Sequence, residues 1–544
     1  MFASQESTPW YRSVATLVGA GFLLPPVGLV LLWLRRDWPT RTKLLGTLGI
    51  VLLGTGYFYF YSAWRKAELN ESQYSAVEQH RAQQAGQAQT APPDQSSIAT
   101  NPAQPGTAAQ TAQPPGVTPA TSNETALAHA SLNYWTNFRG PNRDGDYREM
   151  EVLTTWPSQG LSPIWKQPIG IGYSSFVVAD GRAFTIEQRR SQEVVTAYDV
   201  SNGRELWKHG WNASYSDSTG DGPRSTPTWD EDRIYALGAT GELRCLDAKS
   251  GSVIWGKNIL SDNQAGNLSW AMAASPLIVD DKVIVLPGGS KGKSVVAYNK
   301  MTGAPVWRSL DDTQAYVSPM LVTLSGRRQI IVVSSSRVVG LGPEDGSLLW
   351  SYAWDTSMGI NVSQPIVVSG NRFFISSGYG KGAALVEVNG SGKNFSARTV
   401  WENTNMKNKF NSSVVHQGYA YGLDEGILTC VDVNTGERKW KGGRYGYGQV
   451  LLASGHLIVM TDNGELVLVR ATPAQHSEVA RFQALEGKTW NYPAIAGGRL
   501  LVRNANQMAA YNIAAQCVSS LSFNGNNLQV RKIKEIKSGG RPPS

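Results

Sequence analysis

From about residue 170 to residue 513 the chain runs in short alternations of apolar and polar positions, broken by Gly, Asp and Asn. Stretches such as DRIYALGATGELRCLD (232–247) and DKVIVLPGGSKGKSVVAYN (281–299) read as pairs of half-buried strands joined by turns. The strand that closes each unit follows a turn of fixed chemistry and ends in Trp: AYDVSNGRELW (197–207), CLDAKSGSVIW (245–255), AYNKMTGAPVW (297–307), GLGPEDGSLLW (340–350) and CVDVNTGERKW (430–440). Degenerate copies end at Trp401 and Phe482. Asp or Asn at the turn bonds nearby backbone, and Gly supplies the positive φ that the turn needs.

Four strands per unit, with closing aromatics at 165, 207, 255, 307, 350, 401, 440 and 482, predict propeller blades. One blade cannot bury both faces alone, so the blades must pack in a ring. Innermost strands are expected to begin near Tyr173, Ser225, Ser275, Ser318, Gln364, Ser412, Gln449 and Tyr492. The last unit (491–513) has three strands and no Trp, whereas PIWKQPI (163–169) precedes any complete unit. That strand is expected to supply the outer strand of blade eight and so remove the open edges. The expected fold is all-β: an eight-bladed β-propeller of four-stranded antiparallel blades over residues 132–515, preceded by a two-helix transmembrane hairpin. The closing aromatics read as blade-packing anchors.

The hairpin is read from two segments without charge, 14–34 and 44–64, each long enough to span a bilayer. Trp10, Tyr11, Trp33, Trp38 and Trp64 flank them as interfacial anchors, and Pro25–Pro26 is expected to kink the first. A cleaved signal peptide is the competing reading of the first segment; no A-x-A-like site precedes the second. The loop 35–43 carries Arg35, Arg36, Arg41 and Lys43, against Arg12 in the tail (1–13) and Arg65 and Lys66 after the second span. The positive-inside rule then puts the loop in the cytoplasm and the propeller on the periplasmic side of an inner membrane. Residues 65–131 are rich in Ala, Gln, Pro, Thr and Ser and read as a disordered tether, although 67–85 suits a continuing helix. The tail 516–544 is basic and reads as solvated.

The repeat A-x-D-x-x-x-G-x-x-x-W, with WTNFRGPNRDGD (135–146), GPRSTPTW, WAMAASPLIV, SSGYGKGAALV and YGLDEGILTCVD, resembles the pyrroloquinoline-quinone (PQQ)-binding-like β-propeller repeat family. That superfamily holds quinoprotein dehydrogenases and BamB-type assembly scaffolds, so the resemblance implies a fold and leaves activity open. The enzymes of the family use PQQ stacked on Trp, Ca²⁺ held by carboxylate and amide oxygens, an Asp base and often neighbouring cysteines. This chain has three cysteines, Cys245, Cys430 and Cys517, none adjacent to another and none in a haem or zinc spacing. Cys245 and Cys430 occupy the same repeat position in different blades and read as small buried apolar residues.

The net charge of +8 is scattered, without a dense basic run in the propeller, which excludes a nucleic-acid footprint. Candidate chemistry lies where the chain enters the inner strands. Tyr173, Arg224, Trp270, Tyr316, Asn361, Asn411, Tyr447 and Trp490 fall at comparable positions and are expected to line one channel mouth, suited to a planar ligand or an extended peptide. Among the approach segments the one Asp is Asp221. Glu187 with Arg189, and Asp424 with Glu425, are secondary candidates for Ca²⁺ or base chemistry, with turn-stabilising roles as the alternative. The residues thus suggest a membrane-tethered binding module for a protein or peptide partner in the cell envelope, leaning away from catalysis. The alternative is a PQQ- and Ca²⁺-dependent oxidoreductase acting on an alcohol or sugar.

Overall fold

Each repeat folds as a meander of four antiparallel strands, because the Asp side chain caps the turn and Gly completes it. Asp199 Oδ1 accepts the Ser201 amide at 2.7 Å, Asp247 Oδ1 that of Ser250 at 2.8 Å, and Asp432 Oδ1 that of Asn434 at 2.8 Å. The structure, a computed structural model, describes residues 14–23, 25–90 and 134–515. Two compact units are present, Met1–Gln79 and His80–Ser544.

In the second unit, eight sheets form the propeller, their inner strands running from Val177–Ala179 in blade one to Ala494–Ala496 in blade eight. Pro163–Pro168 pairs antiparallel with Gln507–Asn512, so the early strand does complete blade eight and close the ring. The blade faces bury Val, Ile, Leu and Ala almost completely, which supplies the driving force for closure.

The closing Trp residues join successive blades. Trp165 Nε1 donates to Val200 O, Trp207 to Ala248 O, Trp255 to Lys300 O, Trp401 to Val433 O and Trp440 to Thr472 O, at 2.8–3.0 Å. Their rings cover the turn glycine of the next blade: a Cβ on Gly251 (φ +74°) would stand 2.5 Å from the Trp207 ring. Seven outer strands carry one extra residue just before the closing Trp, a bulge that turns the indole toward the neighbouring blade. Blade seven corrects the expected pattern. Its extra residue is Val479, so Ala480 stands in the Trp place, and Phe482 packs instead on Trp156 and Tyr511.

A circlet of hydrogen bonds ties the starts of the inner strands. The amides of Ser175, Thr226, Ser275, Ser318 and Gln364 donate to the side chains of Thr226, Ser275, Ser318, Gln364 and Ser412, blade to blade, at 2.8–3.0 Å. Ser175 Oγ then donates to Tyr492 O, across the seam between blades one and eight. Cys245 and Cys430 are buried free thiols, as expected; Cys517 lies outside the described residues.

The first unit shows one of the two spans expected for the hairpin. The first apolar segment carries helices α1 (Val14–Leu23) and α2 (Pro25–Leu34), with Leu24 between them outside the described residues; Pro25 and Pro26 stand in the first turn of α2, where proline's missing amide donor is tolerated. Among the described residues, one helix is long and apolar enough to cross a bilayer, and it lies within α3 (Thr40–Thr90). Leu17, Leu32 and Ile50 pack together, and Gly46 admits Leu32 where a Cβ would meet it at 3.0 Å. The tether expected from residue 65 is helical through Thr90; residues 91–131 lie outside the described residues, as do the tails.

Candidate functional site

The channel is open at one end and sealed at the other. The seal is the segment 134–148, which reaches seven of the eight blades. Trp135 pairs with Val178, and Asp146–Tyr147 run parallel to Leu452–Ala453. Arg143, 2% exposed, donates to the carbonyls of Ser275, Pro276 and Pro319 and to Thr228 Oγ1. Arg139 donates to Ser413 O at 2.7 Å and Tyr492 Oη at 3.1 Å. Burial pushes the Arg143 guanidinium down to about 9, so it stays charged at neutral pH, held by backbone carbonyls, the Asn137 amide oxygen and the Thr228 hydroxyl.

Above this floor sits a cup of about 230 Å³, lined by Phe138, Tyr173, Arg224, Trp270, Tyr316, Tyr379, Phe410, Trp490 and Tyr492 among others. Five expected mouth residues meet here: Tyr173, Arg224, Trp270, Tyr316 and Trp490. Trp490 stacks on Phe410 (5.2 Å, 21°) and Tyr173 (5.8 Å, 29°), Tyr447 meets its edge at 6.1 Å, and Trp270 lies 5.9 Å from Tyr316. These side chains are half-buried, unlike the floor.

Asn361 and Asn411 do not face the cup. Asn361 is buried, donates to Ser334 O at 2.9 Å, accepts from Ser377 Oγ at 2.7 Å, and its carbonyl holds the Tyr316 amide at 3.0 Å. Asn411 is buried between Lys409 O and Asn408 Nδ2. Both shape the loops that carry the aromatics.

Three cations ring the cup. Arg224 rests over Tyr215 (4.6 Å) and Tyr173 (5.4 Å) and pairs with Asp217 at 2.7 Å. Lys488 Nζ lies 3.5 Å over Trp490 and donates to Thr219 O, and desolvation lowers its pKa. Lys409 Nζ lies 5.1–5.7 Å over Tyr379, Phe410 and Tyr447. Tyr379, Phe410 and Phe138 complete the cup without having been singled out from the sequence. The signals were present, since Lys409–Phe410 immediately precede Asn411 and Lys488 lies two residues before Trp490. Phe138 lies in the motif 135–146, but nothing local places that segment at the channel, because it comes from the far end of the domain.

The secondary acids are committed elsewhere. Glu187, 0% exposed, accepts from the Gly170 amide, Thr196 Oγ1, Tyr198 Oη and Arg189. Burial alone would raise its pKa; Arg189 and Arg503 beside it, with those hydroxyls, hold it at about 2. Arg503 in turn donates to Gly170 O at 2.8 Å, clasping blade eight to the approach of blade one. Asp424 is buried, accepts the Lys407 amide and pairs with Lys441, while Glu425 is exposed in a turn at φ +50°. Neither pair presents acids to the cup.

A family described as outer membrane protein assembly factor BamB matches residues 191–442. BamB of Yersinia pestis is 23% identical over 274 residues, 48% of this chain and 67% of that protein. Quinohemoprotein alcohol dehydrogenase ADH-IIG of Pseudomonas putida is 28% identical over 142 residues, 24% of this chain and 18% of the enzyme. The chain thus spans under a fifth of that relative. The crystal structure of quinohemoprotein alcohol dehydrogenase from Comamonas testosteroni shares the fold at TM-score 0.52 and 14% identity, covering 75% of this chain and 84% of that one.

The chain is an eight-bladed β-propeller whose repeats are similar to those of PQQ-like propellers.

Within this propeller, the residues present fit half of a quinone site. The stacked collar suits a planar ligand. The Ca²⁺ partner needs several carboxylate and amide oxygens, and the lining of the cup includes no carboxylate. No group of three His, Cys, Asp or Glu among the described residues is arranged to hold a metal ion.

Proposed function

We propose that this protein is a membrane-tethered, extracytoplasmic propeller that binds a protein or peptide partner of the cell envelope at its open mouth. One observation carries the reading: an aromatic cup, blind at its base, whose ionic groups are cations seated on ring faces with no acid among its lining residues. Such a surface binds by stacking and charge. The likeness to BamB supports a protein partner. In this reading segments 14–34 and 44–64 both cross the inner membrane, the basic loop 35–43 lies in the cytoplasm, and 91–131 spaces the propeller from the bilayer.

The second reading is a PQQ-dependent oxidoreductase, favoured by the stacked Trp490 collar and the likeness to quinohemoprotein alcohol dehydrogenases. Two measurements separate them. A photo-crosslinking residue placed at Tyr316 in living cells is expected to capture one defined envelope protein. Incubation of the purified full chain with PQQ and Ca²⁺ is expected to give neither quinone absorbance nor dye reduction with alcohols or sugars. Stoichiometric PQQ with turnover would overturn the binding-module reading.

A further inference from the structure

The chemistry of the partner can be read from the cup. Its volume, about 230 Å³, falls below the roughly 300–1,000 Å³ of sites that enclose a cofactor or drug-sized molecule. It is room for one large side chain. The walls are aromatic faces and edges, which reward a ring entering between them. Gln449, which lines the cup, donates its amide to Phe410 O and Trp490 O and so binds those loops in place, while its buried Oε1 has no partner among the described residues.

The rim is the complement of an anion. Arg224 is neutralised by Asp217, but Lys409 and Lys488 lie over ring faces on adjoining parts of the mouth, from the approaches to blades six and eight. Each ammonium is the point charge that an acidic residue flanking a buried anchor would meet. We propose, on the basis of the partner-binding reading above, that the cup captures a single aromatic anchor side chain of an extended partner polypeptide, with acidic residues on either side of the anchor engaging Lys409 and Lys488. This is the arrangement of an interface hot spot: one desolvated aromatic in a pocket, with charges at the rim setting orientation and encounter rate.

The test uses the full chain in detergent and a short fluorescent peptide with one central Trp between Asp and Glu residues. It is expected to bind, and replacing Trp by Ala is expected to weaken binding about thirtyfold or more. Replacing the acids by Lys is expected to abolish binding, and added salt to weaken it. The charge-reversed protein, Lys409→Glu with Lys488→Glu, is expected to lose the acidic peptide and to take up the peptide in which Lys flanks the Trp. That exchange cannot come from unfolding. Equal binding of the Trp and Ala peptides, indifference to charge reversal, or no binding of the acidic peptide each overturns the inference. If the peptide fails while the Tyr316 crosslink captures one defined protein, the anchor rule falls and the partner-binding reading stands; turnover with PQQ sinks both.

Discussion

The two ends of the channel use the same residue classes to opposite effect. At the sealed end, Arg139 and Arg143 are fully enclosed and their terminal nitrogens donate to backbone carbonyls of blades three, four and six. At the open end, Arg224, Lys409 and Lys488 lie over half-buried aromatic rings, and among the described residues two of them have no carboxylate within salt-bridge distance. A buried cation surrounded by oriented carbonyls is part of the frame, since removing it orphans acceptors that water cannot reach. A cation on a ring face at the surface keeps capacity for another partner. Residue type alone does not separate the two; burial among backbone carbonyls, against exposure on a ring face, does.

Arg143→Ala should break this contrast most severely. Three carbonyls lose their donor, and at roughly 1–3 kcal/mol per orphaned group the cost is at least about 3 kcal/mol. Denaturant unfolding of the full chain measures it, and a loss below about 1 kcal/mol would show that the floor is held by other contacts.

Glu187→Gln comes next. The folded carboxyl titrates near 2, below its ordinary 4.5, so its contribution is complete above about pH 4.5 and disappears as pH falls toward 2. The stability difference between wild type and variant should therefore be about 2–3 kcal/mol at neutral pH and shrink across that window. A difference independent of pH would mean that Arg189 and Arg503 do not act on this carboxylate.

Trp207→Phe removes the indole donor to Ala248 O while keeping most of the ring, for an expected loss of about 1 kcal/mol. The smallest effect on stability belongs to the cup: Trp270→Ala should cost no more than about 1 kcal/mol, because the side chain is half-buried, yet it should remove partner capture at the Tyr316 crosslinking position. A large loss of stability from Trp270→Ala, or capture that survives it, would erase the distinction between a buried floor and an open mouth.

Much of the frame was legible in the sequence because blade packing is local and periodic. The Asp-to-Gly turn, the closing Trp and the following Gly recur at a spacing that predicts both the strands and the ring, and even the seam strand 163–168 could be placed by its missing partner. Where local signals fell silent, the reading slipped. Phe482 was taken for a closing aromatic because it is the nearest ring, although the bulge at Val479 puts Ala480 in that place. Asn361 and Asn411 sit at the same approach positions as Tyr316 and Trp490, but an amide with carbonyls and hydroxyls in reach turns inward, whereas a bulky ring is excluded to the mouth.

What the sequence by itself determined is therefore the repeating blade, the number of blades and the identity of the strand that closes them, since each follows from turn chemistry and hydrophobic period. What only the tertiary structure decided is the end of the channel that is open. The segment 134–148 crosses beneath the blades and spends its arginines on carbonyls that are distant in sequence, and that choice leaves Phe138 as the floor of an aromatic cup. Long-range bonding of this kind has no period, so it becomes visible only once the ring has closed.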